Sequence, residues 1–423
     1  MKRYSEYKDS GIAWIGIIPR HWEVRSLSQM AKEHFISNKN IHNQNLLSLS
    51  YGKIVNKDIN TTDGLLPASF DTYQIIEDGN IVLRLTDLQN DHRSLRVGLS
   101  TQKGIITSAY LALEVMTHVL PKYLYYLLHS TDIKKVFYSM GNGLRQSLNW
   151  AELRKLKCIL PPFAEQQAIV DYLKAKTSKI EQYVAERERE REQFESLKQS
   201  LIANVVTHGL NPDVPMKDSG IPWIGMIPEH WETEKIKHLS KLVTNTSCNK
   251  IKIGLENIES FTGRFIETDS RFEGNGIDVH KGDIVYGKLR PYLCKAWLAS
   301  FDCNAVGDFY VFRCNDDSVI SKEFLHLIFL SQGFTGICNA STYGAKMPRV
   351  SSDFVMSLRI PIPPPDEQQA IVDYVETRLT KIDSYIAGLQ AEMDYLKEFK
   401  QRLISDVVTG QICVAGPQKG EMQ

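Results

Sequence analysis

The residues best suited by type to do chemistry are two histidines, two proline-linked loops, and a scatter of arginines and lysines set among amides. His21 and His230 each precede a tryptophan in matched contexts. An imidazole titrating near neutrality can serve as a general base. No nucleophile or carboxylate constellation repeats beside either ring, so a structural role is expected. Pro365-Asp366 with Glu398-Phe399-Lys400 spells the carboxylate-and-lysine set of a metal-dependent nuclease, PD…ExK. The corresponding positions of an earlier repeat hold Ala164 and Ser196, and the Glu–Lys pair falls on a predicted coil. Pro161-Pro162-Phe163 would suit a loop that accepts a target amine, but Leu160 stands where such a loop needs an Asn or Asp oxygen. Neither a GxxxxGK[ST] loop nor a Rossmann-type glycine fingerprint occurs. An enzyme with its own methyltransferase or nuclease site therefore remains only as an alternative.

Binding chemistry is better supplied. Arg84, Arg93 and Arg96 lie beside Gln89, Asn90 and His92, and Lys288, Arg290 and Lys295 lie beside Tyr292. Arg145 follows the glycine loop 141–143, and Lys346 and Arg349 follow Gly344. Arg, Lys, Gln and Asn are the side chains that bond base edges bidentately. These twelve, without His92, are the candidate DNA contacts: Arg84, Gln89, Asn90, Arg93, Arg96 and Arg145 in one group; Lys288, Arg290, Tyr292, Lys295, Lys346 and Arg349 in the other. Formal net charge is zero overall, yet residues 24–160 and 233–360 carry a positive excess and the stretches 165–208 and 366–408 a negative one. That separation favours a polyanion at the former segments.

Two internal repeats must position these groups. LPPFAEQQAIVDYL at 160–173 returns as IPPPDEQQAIVDYV at 362–375, and the offset of 202 holds without a gap to Leu210 and Ile412. An element of that length tolerating no insertion predicts a long helix. Prolines precede each copy, and Glu165 and Glu367 fall in the first turn, where the helix dipole favours negative charge. Apolar residues recur every seven, at Leu173, Ile180, Phe194 and Leu201, and at Val375, Ile382, Leu389, Leu396 and Leu403, with Tyr183, Leu197, Tyr385 and Phe399 in a second row. This is a narrow coiled-coil seam. Residues 165–206 would span roughly 63 Å at about 1.5 Å per residue. The charged run Glu186–Glu192 leaves the helix otherwise in water.

A second repeat, KDSGIAWIGIIPRHWE at 8–23 and KDSGIPWIGMIPEHWE at 217–232, reads as an aromatic hook docking against something large. Trp14, Trp22, Glu165, Gln166 and Gln167, with Trp223, Trp231, Glu367, Gln368 and Gln369, are the candidate partner-binding and spacer residues. The expected organisation is hook 1–23, variable domain 24–159, helix 160–210, linker and hook 211–232, variable domain 233–361, helix 362–412 and tail 413–423. Within the variable domains, Gly79–Leu85, Ile105–Val115, Gly282–Leu289 and Ala305–Phe312 read as strands, and Leu124–Leu128 and Phe324–Leu330 as short helices. At 43% hydrophobic the chain can bury real cores. Its seven cysteines are odd in number with no CxxC pair, which predicts reduced structural thiols. No apolar leader follows Met1 and no run of eighteen apolar residues occurs, so a soluble cytoplasmic protein is expected.

The duplicated hook, the duplicated PPxxEQQAIVDY start and the duplicated LIxxVVT helix end resemble the specificity subunits of type I restriction–modification systems, over the whole chain. The resemblance implies an α/β fold class: two globular target-recognition domains joined by two long antiparallel helices that form a coiled-coil spacer, with an internal pseudo-two-fold repeat. It implies a non-catalytic subunit that reads a two-part double-stranded DNA site. The implied partners are two adenine-N6 methyltransferase subunits and restriction–translocase subunits. No cofactor is expected on this chain; S-adenosylmethionine, ATP and Mg would sit on the partners. A coiled-coil scaffold without sequence-specific DNA binding is the other alternative.

Overall fold

The computed structural model describes residues 3–39, 41, 43–59, 69–91, 94–140, 147–344 and 346–414. The chain forms two compact units, residues 1–186 with 392–423, and residues 187–391. Four helices organise them: α1 (Pro121–Ile133), α2 (Phe163–His208), α3 (Lys322–Leu330) and α4 (Pro365–Val408). The two long helices, of 46 and 44 residues, lie within the predicted stretches 160–210 and 362–412 and stop a few residues short of each end. Each crosses from one unit into the other, so each unit holds one hook, one variable domain and half of both long helices.

In the first unit the hook is a hairpin of Tyr7–Asp9 against Ile17–Pro19. Glu23–Ser26 then pairs antiparallel with Lys157–Leu160. That pairing brings together the first and last residues of the variable domain, so the domain leaves and rejoins the frame at one place. Between them lies an antiparallel sheet in the order Ala31–His34, Leu111–Val115, Ile81–Leu83, Val97–Leu99. The predicted strand 105–115 is two strands, Gly104–Ile106 and Leu111–Val115, because a turn closed by Tyr110 N–H to Thr107 O interrupts it. Helix α1 packs under the sheet through Tyr123, Leu124, Leu127 and Leu128. Ile169, Val170 and Leu173 of α2 share this core with Leu403, Ile404, Val407 and Val408 of α4. Glu181 bonds Lys400 and Tyr183 bonds Glu392, so the two helices run antiparallel here.

The second unit repeats the plan. Met216–Asp218 pairs with Met226–Pro228, and Glu232–Lys235 pairs with Arg359–Ile362. The sheet order Ser240–Leu242, Phe309–Cys314, Ile284–Gly287, Ala296–Leu298 matches that of the first unit. A second four-stranded sheet, Thr246–Ser247, Gly276–Val279, Cys303–Ala305 and Lys252–Ile253, is joined at its last pair in parallel. The predicted strand 305–312 is again divided, into Cys303–Ala305 and Phe309–Cys314. Ile202, Val205 and Val206 of α2 share a core with Ile371, Val372 and Val375 of α4. The helices are antiparallel here too, with Lys198 Nζ 2.7 Å from Asp383 and the Tyr385 hydroxyl donating to Glu190 at 2.8 Å.

The seven-residue seam needs one correction. Leu197 is exposed while its neighbour Lys198 is buried. A lysine can hold this place because its stem is apolar and its ammonium meets the Asp383 carboxylate. Tyr183 and Tyr385 are also partly exposed, so the second row lies along the rim of the contact.

Helix α1 carries a pH-sensitive element. His129 is buried, its Nδ1 has no hydrogen-bond partner, and its ring stacks on Tyr125. Burial, with the Lys400 charge adding, pushes its pKa down to about 4. The ring is therefore neutral in the folded chain, whereas an unfolded imidazole takes up a proton near 6.5. This stability is present above pH 6.5 and lost as pH falls towards 4, to a total of about 3 kcal/mol. Urea denaturation across pH should show wild type losing that amount relative to His129→Phe. A pH-independent difference would contradict a neutral ring.

Candidate nucleic-acid interface and the repeat clamp

The duplicated motifs prove to be internal joints. Trp22 is fully buried and donates its indole N–H to Glu165 Oε2 at 3.0 Å. His21 Nε2 lies 2.6 Å from Glu165 Oε1, and the Tyr4 hydroxyl donates to Oε2 at 3.1 Å. In the second unit His230 and Trp231 hold Glu367 at 2.6 and 2.8 Å. The hook thus docks on the first turn of its own unit's long helix. The ends of α2 and α4 close the same joint: Gly209 and Gly410 are left-handed, and a Cβ on either would meet Trp231 or Trp22 at 3.1 Å.

The glutamine after each glutamate does a second job. Gln166 accepts from Leu120 N–H and donates to the carbonyls of His118 and Pro161. Gln368 accepts from Ser321 N–H and donates to those of Val319 and Pro363. Each amide ties the start of α1 or α3 to a long helix and satisfies three backbone groups. The second glutamines, Gln167 and Gln369, are solvent-facing and bond Asp171 and Asp373 one turn on.

Expectation and structure therefore part for several partner-binding candidates. Trp22, Trp231, Glu165, Gln166 and Gln368 are buried within their own units. Trp14 and Trp223 are half-buried; Trp14 packs on the first core, and Trp223 packs edge-on to Phe334. The large object on which the hook docks is its own unit. Gln167, Gln369 and Glu367 remain accessible. The Glu367 side chain is 43% exposed against 3% for Glu165; among the described residues no hydroxyl takes the place of Tyr4 at Glu367, and a cavity of about 210 Å³ opens beside it.

The base-reading candidates fall on loops held in equivalent ways. In the first domain Leu148 N–H bonds Leu85 O, and in the second Leu289 bridges to Arg349. Each contact pins the loop after the Ile81–Leu83 or Ile284–Gly287 strand against a later segment. Arg84 is half-exposed, 3.8 Å from Asp91. Gln89 and Asn90 are exposed, and Asn90 bonds Asp87. Arg93 and Arg145 lie outside the described residues.

Arg96 is corrected. Its guanidinium is fully buried and donates to the carbonyls of Arg84, Thr86, Asp87 and Asp91 and to the Tyr138 hydroxyl. It builds the loop that displays Arg84, Gln89 and Asn90. Lys295 is corrected likewise: its ammonium donates to the carbonyls of Leu255 and Ile258, and burial pushes its pKa down.

In the second domain Arg290 is exposed, in no ion pair among the described residues, and left-handed at φ 50°. Tyr292 and Lys346 are exposed beside it in sequence and loop. Arg349 grips Asp308 bidentately at 3.1 and 2.8 Å, and Lys288 lies 3.8 Å from the same carboxylate. The Arg349 hydrogen bonds hold the Asp308 carboxyl below its usual range. Sequence reasoning missed Asp308, Tyr4 and the carboxylate role of Glu165. The repeated His–Trp pair and the repeated glutamate were visible signals for the last of these. Among the described residues no group of three or more His, Cys, Asp or Glu could hold a metal ion, and no helix is long and apolar enough to cross a membrane.

The comparisons agree with this duplicated plan. The family model for the type I restriction modification DNA specificity domain matches twice, at residues 19–187 and 228–392. The MjaVIII type I restriction enzyme specificity subunit of Methanocaldococcus jannaschii is 25% identical over 338 residues, 74% of this chain and 75% of that one. The EcoDI specificity subunit of Escherichia coli is 21% identical over 332 residues, covering 72% and 73%. A solved chain, from work on complex assembly and conformational transition of the type I R-M system, shares the fold. It matches with a TM-score of 0.67 at 14% identity, covering 93% of this chain and 99% of that one. Two recognition domains on one repeated frame, matched twice by one domain family, place this chain in the type I restriction–modification specificity family, as a non-catalytic specificity subunit.

Proposed function

We propose that the chain reads an asymmetric, two-part site in double-stranded DNA, one part with each variable domain, and positions adenine-N6 methyltransferase and restriction subunits on it. The observation that carries this reading is the contrast between identical joints and different displays. Both units share the His–Trp–Glu clamp, the glutamine tie and the sheet order, while the pinned loop presents Arg84, Gln89 and Asn90 in one and Arg290, Tyr292 and Lys346 in the other. Equivalent frames suit two equivalent partner subunits, and unlike loops suit two unlike half-sites. S-adenosylmethionine, ATP and Mg would be held by those partners, and the target adenine would be flipped into the methyltransferase pocket.

Methylation mapping of genomic DNA from cells with and without this chain tests the proposal. A bipartite methylated sequence should disappear with the chain; unchanged methylation would reject it. Arg84→Ala and Arg290→Ala should each weaken specific binding by about 1–3 kcal/mol. Competition with oligonucleotides altered in one half at a time should show relaxed discrimination in one half-site for Arg84→Ala and in the other for Arg290→Ala. Weakening spread evenly over both halves would assign these arginines to phosphates.

A further inference from the structure

The first unit contains a basic cleft that the base-reading loops do not use. It encloses about 510 Å³ between the Leu47–Asn56 hairpin, α1, and the facing stretches of α2 and α4. Lys53, Lys122, Lys174, Lys397 and Lys400 line it, with Glu181 as its one lining carboxylate. These ammonium groups come from four separate elements that only the folded unit brings together. Lys400 is 2.6 Å from Glu181, and Lys397 is 3.6 Å from Asp394 on its own helix. Lys53, Lys122 and Lys174 are in no ion pair among the described residues. Burial works to raise the Glu181 pKa, yet the Lys400 hydrogen bond and charge, with Lys53 and Lys122 adding, hold it below the usual range. Tyr51, 84% exposed at the tip of the hairpin, stands at the mouth.

The repeat supplies an internal control. The matching cleft of the second unit is about 250 Å³ and electrically closed. At the offset of 202, Lys174 becomes Glu376, Lys397 becomes Glu195 and Glu181 becomes Asp383, while Lys400 remains as Lys198. Lys198 and Arg264 are both bound to Asp383. One cleft therefore carries a net charge of about +4 from its lining groups, while the lining charges of the other, Lys198, Arg264, Glu376 and Asp383, sum to zero. A helix seam needs no such difference, and uncompensated ammonium groups facing one another in a cleft repel.

We propose that the first unit's cleft grips the phosphodiester backbone of duplex DNA, so that the subunit holds its site asymmetrically. This rests on the DNA-reading function proposed above. Multivalent anionic oxygens are the chemistry that five clustered lysines fit, and flexible ammonium groups match a backbone independently of sequence.

The test uses the full chain assembled with its methyltransferase subunits, measuring duplex affinity over a salt series. Replacing Lys53, Lys122 and Lys174 together with Gln should lower affinity on the order of 10- to 100-fold at physiological salt, and reduce the slope of log K against log salt by about 2.7. The preference between cognate and altered half-sites should be kept. The triple Arg variant, which keeps the charge, should keep the slope. An unchanged slope in the Gln variant, with specific binding intact, overturns the cleft proposal and leaves the DNA-reading function standing. Absence of specific binding by the wild-type complex overturns both. Loss of tripolyphosphate binding by the Gln variant without any change in the DNA slope would assign the cleft to a small anion and also overturn the proposal.

Discussion

Glu165→Ala should destabilise the first unit by about 3–5 kcal/mol, several times the loss from the equivalent Glu367→Ala. The carboxylate of Glu165 is 3% exposed and receives Trp22 Nε1, the Tyr4 hydroxyl and His21 Nε2. Truncation leaves the fully buried indole N–H without its acceptor, unable to reach water without opening the hook, and takes the carboxylate from the half-buried phenol. The phenol is also held neutral by burial, the largest cause of its raised pKa and one that truncation at 165 leaves in place. The helix start also loses a negative charge at its positive end. Glu367 meets two donors rather than three and its side chain is 43% exposed, so water can replace it, and about 1 kcal/mol is expected. Glu165→Gln should fall between, since its amide oxygen in the Oε2 position can still accept from both the indole and the phenol, while its neutral NH2 replaces the carboxylate oxygen that met His21 Nε2. Chemical denaturation followed by tryptophan fluorescence would separate the three variants. Equal losses at 165 and 367 would mean that solvent access does not govern the joint.

Much of the frame was legible because its signals are local and doubled. An unbroken repeat offset, prolines before the first turn and no internal proline determine two long helices without any knowledge of what surrounds them. Register was less legible. Periodicity favoured Leu197 for the seam, but a lysine with an acidic partner on the facing helix wins the neighbouring position, and that partner is 185 residues away in sequence. The strand divisions at Thr107–Tyr110 and near Gly307 were hidden because β-propensity, read residue by residue, runs through a short turn closed by a local hydrogen bond. The hook's destination was hidden for a different reason: Trp22 and Glu165 are both visible as repeated residues, but they lie 143 residues apart and nothing local says that they meet.

The candidate interface was half legible. Side-chain type separates groups able to bond bases from those that are not, but it carries no burial, and Arg96 is the clearest case. Arg96→Ala should destabilise the first unit by about 3–5 kcal/mol and also relax reading of one half-site, although the side chain touches no solvent. Its guanidinium closes a loop by bonding four carbonyls between Arg84 and Asp91, and it lies 5.3 Å from the Tyr138 ring whose hydroxyl it also bonds. Its own backbone N–H is anchored on the Asp132 carboxylate at 2.6 Å, and burial raises the pKa of that acid. Removing the guanidinium withdraws a donor from four inward-turned carbonyls, of which those of Asp87 and Asp91 keep another, so the loop that displays Arg84, Gln89 and Asn90 must rearrange. Arg96→Lys should rescue little, because three donors on one nitrogen cannot span a planar fork's acceptors. The contrast with Arg84→Ala decides the matter. That variant should bind DNA less selectively at unchanged stability, whereas Arg96→Ala should lose both together in denaturation and half-site competition. An Arg96→Ala chain that unfolds at the wild-type denaturant midpoint but no longer discriminates would put the guanidinium on the DNA and return Arg96 to the set of base readers.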